Sequence, residues 1–592
     1  MRRPHIRRVA IAVAVTTAAT LPAGPAFAAA PDSPARAAAS ASSPVDAARA
    51  AAFAHASATG VTQGDTLRAK DVMTDPDGKQ HVRFVRTHQG LPVLGGDLVV
   101  HLSRQSGYLG VTRAADHVVK PASIEAKLTP QQAEQKAAMV AKGDAGGAEL
   151  VVDARDGAAA LAYQVRVTDS DTTKAGGSRT VVVDAGSGKI RSNTPDSDEF
   201  ISPSLEDTLR KRGERANPET ASATALSGLT GATGAGHYPA TATGSGASLF
   251  DGKVALTTTQ TARTSFLLKD PSRWNTETRD ARGQELEAFS RGKKFTDGDN
   301  KWGTGTTSSR TTAAVDAQYG ITQTLDFYKK TFGRKGIKNN SAGARGMVHF
   351  GNKVGNAFWD STCGCMLYGD GDGDLFKKPL VVLDVTGHEL THGVVDATAA
   401  LEPTRVDQDG NQYGEPGALN ESLADIFGSN VEFSANNPKN PPNFLIGEKL
   451  GLAQKFLRRL DHPSLDKLEG TVDYWAPEVY DTEVHAGSGV SSHAYYLLAE
   501  GSGRKTIGGV TYDSPTYDGS RVTGIGRAKA TAIFYRALTR YMVSTTDFHD
   551  ARKATLKAAA DLYGASSTEY KTVDKAWAAV NVTTANTPAA GH

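Results

Sequence analysis

The stretch Val381-Val-Leu-Asp-Val-Thr-Gly-His-Glu-Leu-Thr-His-Gly-Val-Val395 narrows what this chain can fold into more than any other. It holds His388-Glu389-Leu390-Thr391-His392 in an apolar, proline-free setting that reads as a helix. Two histidines four apart on a helix lie one above the other on one face, so both imidazoles reach a single metal ion. Glu389 points about 100° further round the helix. That places it beside the ion, where a carboxylate serves as general base toward a metal-activated water. With 15 histidines in 592 residues, roughly 0.02 such motifs are expected by chance, which favours a zinc site. The motif does not identify the third ligand, and for that the stretch Pro416 to Glu432 matters as much. Glu421, Asp425 and Glu432 share one stripe of a helical segment whose other positions include Leu423, Ile426, Phe427 and Val431. Three acids on a half-buried helix are costly unless something cationic faces them; the alternative is a solvated acidic face.

Length allows about three to five domains. A formal net charge of +2 gives no reason to expect a nucleic-acid partner. The only cysteines, Cys363 and Cys365, are compatible with a local disulfide or with two free thiols. Arg2, Arg3, Arg7 and Arg8 precede an apolar run from Val9 to Leu21 and then Ala26-Phe27-Ala28, the pattern of a cleaved secretory signal. The paired arginines also suit a twin-arginine route, with general secretion preferred. No later run approaches the ~20 apolar residues of a membrane span, so the expected mature chain is soluble, secreted and without a membrane partner.

From about Gly60, strands are expected at His81–Arg86, Leu98–Leu102, Tyr163–Val167 and Thr180–Asp184, with a turn at Gly90–Gly96. Thr129 and Pro130 read as N-cap and first residue of a helix. Ser192 to Gly246 is polar and rich in Gly, Thr, Ala and Pro, which reads as an exposed linker. Its processing site is expected between about Ala216 and Gly246. Further on, a helix is expected from Ala313 to Phe332. Gly346–Phe350 and Asn356–Trp359 read as neighbouring edge strands, and helices follow at Ser491–Leu498, Arg527–Met542, Asp547–Leu562 and Thr568–Val580.

His388-Glu-Leu-Thr-His392, Asn420-Glu421-Ser-Leu-Ala-Asp425 and Asn356-Ala-Phe-Trp359 together resemble the thermolysin (bacillolysin-like) family of secreted zinc endopeptidases. The similarity runs from about Ser248 to Val582. The strand-rich N-terminal region, with its His-Gln-Gly-Leu-Pro-Val stretch, resembles the same family's pro-region, a folding assistant and inhibitor removed on activation. The resemblance implies an α+β architecture. A mainly β lobe and a mainly α lobe would flank the zinc helix, behind an α+β propeptide domain. The expected division is signal peptide 1–28, propeptide 29–215, linker 216–246, β-rich lobe and zinc helix 247–395, and α-helical lobe 396–592.

By the same resemblance His388, His392 and Glu421 would hold Zn²⁺, with Glu389 catalytic and His485 hydrogen-bonding the oxyanion. Asp425 would accept the other ring N–H of a zinc histidine, and Glu483 or Asp481 would orient His485, with Glu483 preferred. Tyr413 is the candidate for the family's oxyanion tyrosine, although it stands one residue closer to Glu421 than the pattern requires. The loop Ala397–Gly417 is longer than that pattern by roughly nine residues. Asn356 and Ala357 would hold an extended substrate by strand addition. Arg458 would bond the carbonyl beyond the cut, and Leu457, Val385, Phe376 and Ile446 would line a pocket selecting Leu, Ile or Phe after the scissile bond. Asp384, Glu432 and Glu448 gather acids for one Ca²⁺, with Asn443 as a further carbonyl ligand. Leu445 replaces the acid that a paired site would need. The Gly-Asp run at Tyr368–Asp374 lacks the twelfth-position acid of an EF-hand, and Asp297 and Asp299 are a weaker ion site. The expected chain is a monomeric zymogen acting on protein or peptide substrates, with its own propeptide as intramolecular inhibitor. The alternatives are an inactive secreted relative that binds calcium or protein, and an aminopeptidase.

Overall fold

The computed structural model describes residues 43–155, 157–169, 177–212, 237–286 and 288–586. The expected signal segment and most of the expected processing interval lie outside the described residues.

The pro-region is built from two helix-on-sheet layers. Pro44–Ala54 lays Ala48 and Ala52 against Leu67, Val82, Phe84, Leu98 and Val100. Pro130–Ala141 lays Ala133, Ala137 and Ala141, one per turn, on Tyr163, Val165, Val167, Val181 and Val183. Its start is fixed locally: Thr129 and Gln132 form a reciprocal capping box behind Pro130. The stretch expected as a turn at Gly90–Gly96 instead contains the strand Leu91–Leu94, after a reversal at Gln89-Gly90. That strand pairs antiparallel with Gln80–His88 and parallel with Gly143–Asp153, joining the two layers into one nine-stranded sheet.

The catalytic half opens with strand Ala240–Ala247, so the chain is ordered into a sheet seven residues earlier than the expected boundary at 247. It joins a five-stranded sheet, and the 23-residue helix Arg310–Phe332 packs against both it and the neighbouring sheet. In that second, seven-stranded sheet, Cys365–Tyr368 lies between Ala357–Asp360 and Arg345–Phe350, so the two strands expected to be neighbours are not. Ala357–Asp360 and Cys365–Tyr368 form a tight hairpin, and Cys363 and Cys365 are joined in a disulfide at its turn. A hairpin partner only a few residues away closes at a smaller entropic cost than a distant strand.

Helices Leu383–Ala397 and Glu415–Ala435 are buried over most of their length and cross with backbones almost touching. A Cβ on Gly428 would meet the Asp384 carbonyl at 2.8 Å, and one on Gly387 would meet the Gly428 Cα at 3.0 Å. Glycine at both positions is what lets the helices carrying the histidines and Glu421 approach so closely. The α-helical lobe continues through Gly489–Ala499, Arg527–Arg536, Phe548–Tyr563 and Thr568–Ala578. The expected helix to Met542 changes to a π-helical turn over Ala537–Tyr541.

The pro-region docks on this lobe through buried polar contacts. Arg536 forks onto Asp75, Arg83 donates to the Met542 carbonyl, and Ser544 donates to Asp97.

Candidate active site

The close helix crossing brings three side chains to one point. Ligand atoms of His388, His392 and Glu421 all lie within 4.8 Å of one another, and all three residues are buried. His388 Nδ1 donates to Asp425 Oδ1 at 2.7 Å, and His392 Nδ1 donates to Asn420 Oδ1 at 3.0 Å. With both Nδ1 atoms engaged in this way, the two Nε2 atoms are turned toward each other, 3.0 Å apart. Glu421 Oε2 is buried without a hydrogen bond, as are both carboxylate oxygens of Glu389. Converging ring nitrogens and orphaned buried oxygens suit a cation. Two imidazoles and one carboxylate form the donor set of a catalytic zinc site.

The surrounding charges set each group apart. Burial pulls His388 down, but Asp425 and Glu421 outweigh it and lift it to about 9. Burial takes His392 down to about 4. Glu389 is pushed well above the carboxylate range, first by burial and then by Glu421 and Asp198, with His388 opposing. Asp425 resists its burial and stays at about 2 because Arg458 and His388 hold its charge.

His485 stands in a short turn of helix at Val484–Gly487, and its Nε2 lies 3.4 Å from Glu421. Glu483 caps that turn through the His485 N–H and accepts from His485 Nδ1 at 2.9 Å. Together with Glu421 it raises His485 well above the usual imidazole range against burial. Asp481, the other orienting candidate, is exposed and paired with Arg405. Tyr413 also has different employment: its hydroxyl donates to Asp407 at 2.9 Å and its ring lies under Arg405. In this conformation its hydroxyl is tied to its own loop rather than to the histidine cluster.

The groove beside these residues is filled by the chain itself. Strand Ser197–Glu199 pairs antiparallel with Ala357–Asp360 and extends the sheet by one strand. Phe200 N–H donates to the Ala357 carbonyl at 3.1 Å. Asn356 holds both backbone groups of Ile201, accepting from its N–H at 3.1 Å and donating to its carbonyl at 3.0 Å. His485 Nε2 donates to the Glu199 carbonyl at 2.7 Å, and Arg458 Nη1 donates to the Phe200 carbonyl at 3.3 Å. The Phe200 ring is fully buried, edge-on to His388 at 5.2 Å between centroids. A Cβ on Gly447 would come within 3.2 Å of the Leu457 side chain and 3.6 Å of the Phe200 ring. Leu457, Val385, Phe376 and Ile446 are buried in the same hydrophobic cluster as Phe200. The linker expected from Ser192 is therefore not exposed at its start. Phe200, Ile201, Leu205 and Leu209 are buried, a short apolar series that the polar composition around it conceals.

Arg458 forks onto Asp425 and also approaches Glu469, a partner absent from the expected site along with Asp198 and Asn420. A second acidic cluster lies at the other end of the two crossing helices. Asp384 accepts from Gly447 N–H, Glu432 from Asn440, and Glu448 from Asn443. One oxygen of Glu432 and one of Glu448 are buried without a hydrogen bond. Burial raises Asp384 to about 7 with Glu448 adding to it, and Glu432 goes well above its ordinary range. Asp251, unforeseen from sequence, belongs to this cluster, since it is raised to about 6 by burial and by Glu448. Buried acids that raise one another are what a calcium ion with several oxygen ligands relieves.

The chain belongs to the thermolysin metallopeptidase family. Its catalytic-domain profile matches residues 243–396 and its alpha-helical-domain profile matches residues 411–582. The fungalysin/thermolysin propeptide motif matches 65–115, and the peptidase propeptide and YPEB domain matches 127–193. The transglutaminase-activating metalloprotease of Streptomyces mobaraensis is 38% identical over 88% of this chain, which spans only 62% of that relative's length. Thermolysin from Bacillus caldolyticus is 33% identical over 86% of this chain and 84% of its own, and bacillolysin from Bacillus cereus is 33% identical over 87% and 84%.

Proposed function

We propose that the chain is a zinc-dependent endopeptidase made as a zymogen, cutting on the N-terminal side of bulky hydrophobic residues. The observation that carries this reading is the buried convergence of His388, His392 and Glu421 beside the unpartnered carboxylate of Glu389. A zinc ion held by those three residues would supply Lewis acidity toward a carbonyl and a water acidified toward pKa ~7.

The protein groups supply the rest. Glu389, whose two carboxylate oxygens are buried without a hydrogen bond, acts as the carboxylate that takes the water's proton and delivers it to the leaving nitrogen. His485, kept protonated by Glu421 and Glu483, donates Nε2–H to the carbonyl oxygen as charge develops there. Such a donor contributes roughly 3–4 kcal/mol. Asp425 fixes the His388 ring. Asn356 and the Ala357 carbonyl bind substrate backbone, Arg458 binds the carbonyl after the cut, and Leu457, Val385 and Phe376 form the wall that selects an apolar side chain. Tyr413 would join the oxyanion site only after its loop releases Asp407.

The pro-region acts as an intramolecular inhibitor through Ser197–Ser202. Asp384, Glu432, Glu448 and Asp251 would hold Ca²⁺, and the signal segment sends a monomeric product outside the cell. The boundaries 29–215 for the propeptide, 216–246 for the linker and 247–592 for the catalytic lobes belong to the same reading, with the first catalytic strand drawn back to Ala240. Metal analysis tests the core of it. The purified chain is expected to carry one zinc, and the doubly substituted His388→Ala, His392→Ala chain none; equal zinc in both would refute it.

A further inference from the structure

We propose that Glu415, Asp547 and His549 form a second metal site, built for a divalent transition ion such as Zn²⁺ and separate from the histidine cluster. The three residues come from distant parts of the chain and meet where two helices begin. Glu415 is the first residue of Glu415–Ala435, the helix that carries Glu421 and Asp425. Asp547 caps Phe548–Tyr563, in whose first turn His549 lies. Ligand atoms of the three all lie within 4.8 Å of one another.

His549 is the residue that points to a ligand. It is only 6% exposed. Its Nε2 lies 3.0 Å from Asn586 Oδ1. That oxygen also accepts from Thr583 N–H, while Asn586 Nδ2 donates to the Asn581 carbonyl, so the amide cannot be turned round. An oxygen that only accepts places the imidazole proton on Nε2. Nδ1 is then left as a bare acceptor, and among the described residues it is buried with no hydrogen-bond partner. Such an atom is costly to bury unless something fills its lone pair.

The two acids keep room for a cation. Glu415 Oε1 accepts from Trp475 Nε1 and Oε2 from the Phe548 N–H, each at 2.9 Å, and Asp547 Oδ1 accepts from the Asp550 N–H at 2.7 Å. Each carboxylate oxygen has two lone pairs, so these bonds leave acceptors on both residues. Burial raises Asp547 to about 7, with Asp550 and then Glu415 adding to it, and burial also raises Glu415. The two helix N-termini contribute roughly half a positive charge each, less than the charge of two carboxylates. A bound cation answers the excess. One imidazole nitrogen with two carboxylates suits zinc or a neighbouring transition metal, whereas calcium prefers oxygen alone. The capping bonds compete for the same oxygens, so the ion is held weakly enough to leave on purification and to return when metal is added. Once bound, it ties the start of the helix holding Glu421 to the start of Phe548–Tyr563.

The test uses the full-length chain carrying His388→Ala and His392→Ala, which removes the first site, in millimolar calcium to fill the acidic cluster around Asp384. Calorimetry follows added Zn²⁺, and Tm is read with and without it. One Zn²⁺ is expected to bind with micromolar Kd and to raise Tm. Asp547→Asn keeps the helix cap, since asparagine caps as well as aspartate, and His549→Gln keeps an N–H for Asn586. Each should weaken Zn²⁺ binding by at least about tenfold, because even the loss of an outer partner of a metal ligand costs about 10–100-fold. Each should also cancel the metal-dependent rise in Tm. Circular dichroism checks the fold, and two separate replacements keep the test decisive if one unfolds. In the chain with both histidines intact, dialysis against Zn²⁺ should load a second zinc that Asp547→Asn does not retain. No Zn²⁺ bound by the parent, equal binding by parent and variants, or a zinc-edge X-ray absorption spectrum without imidazole scattering would each overturn the proposal. Because the titrated chains lack the first site, any of these outcomes leaves the peptidase reading untouched.

Discussion

Replacing Asp425 by asparagine should weaken zinc binding without removing a ligand. Asp425 Oδ1 accepts from His388 Nδ1 at 2.7 Å and from Arg458 Nη2 at 3.0 Å, while Oδ2 accepts from Arg458 Nε at 2.8 Å. An asparagine keeps the shape but offers one acceptor and one donor where three donors converge. One orientation turns an NH₂ toward His388, and the other turns it toward Arg458. Losing a carboxylate that orients a metal-bound histidine costs about 10–100-fold in metal affinity, or about 1.4–2.7 kcal/mol. Removing its charge also leaves buried Arg458 with Glu469 alone, at 3.3 Å. Breaking a buried pair in this way costs about 3–5 kcal/mol of fold stability. The two effects separate by assay. Chelator competition reads zinc affinity, and denaturant unfolding of metal-stripped protein reads the fold. Glu469→Gln is the control, since it touches Arg458 but not His388. It should lower stability and leave zinc affinity within about twofold. If Asp425→Asn leaves zinc affinity unchanged, Asp425 does not orient the metal histidine.

Three further outcomes follow from the same contacts. Glu483→Gln should lower kcat/KM by at least tenfold because His485 loses the charge that keeps it protonated, whereas Asp481→Asn, which disturbs only an exposed pair with Arg405, should stay within about twofold; steady-state kinetics on one peptide reads both, and equal losses contradict the assignment. His101 is held well below the ordinary imidazole range, first by burial and then by His81 and Lys557. Its contribution to stability is therefore complete above the open-chain value of pH ~6.5 and is lost as pH falls below it. An uncleavable Glu389→Gln zymogen should lose stability by up to about 1.4 kcal/mol per pH unit in that range from this group, and adding His101→Gln should flatten the slope; parallel pH profiles would contradict this. Glu432→Gln should raise Tm in calcium-free buffer by relieving mutual repulsion among buried acids, and lower it in millimolar calcium; a shift of the same sign in both would count against the calcium site.

What the sequence made legible is what depends on local spacing. His388 and His392 share a helical face by the 3.6-residue period, and the same period puts Asp425 one turn beyond Glu421, while the roles of those two acids came from the family resemblance. Gly387 and Gly428, which let the two helices meet, carry no such period; they become meaningful only once the crossing is seen. Glu483 and Asp481 flank His485 in irregular chain, where no repeat decides which carboxylate turns toward the ring. Asp251 joins Asp384 and Glu432 from far upstream, beyond the reach of any pattern. The groove segment was hidden for a different reason. Phe200, Ile201, Leu205 and Leu209 are four buried apolar residues in a polar, glycine-rich stretch, next to Ser197–Glu199, which pairs with the far-downstream strand Ala357–Asp360. Gly90–Gly96 misled in the same way, since Leu91–Leu94 pairs with the distant Gly143–Asp153 as well as with Gln80–His88.

The most direct test of the account is to incubate the processed, zinc-loaded protein with a quenched peptide carrying Leu at the position after the expected cut. Parallel reactions contain a zinc chelator, and mass spectrometry locates any cut. The account predicts internal cleavage before Leu, abolished by the chelator and restored by added zinc. Removal of only the terminal residue, or no cleavage by a fully zinc-loaded chain, would contradict it.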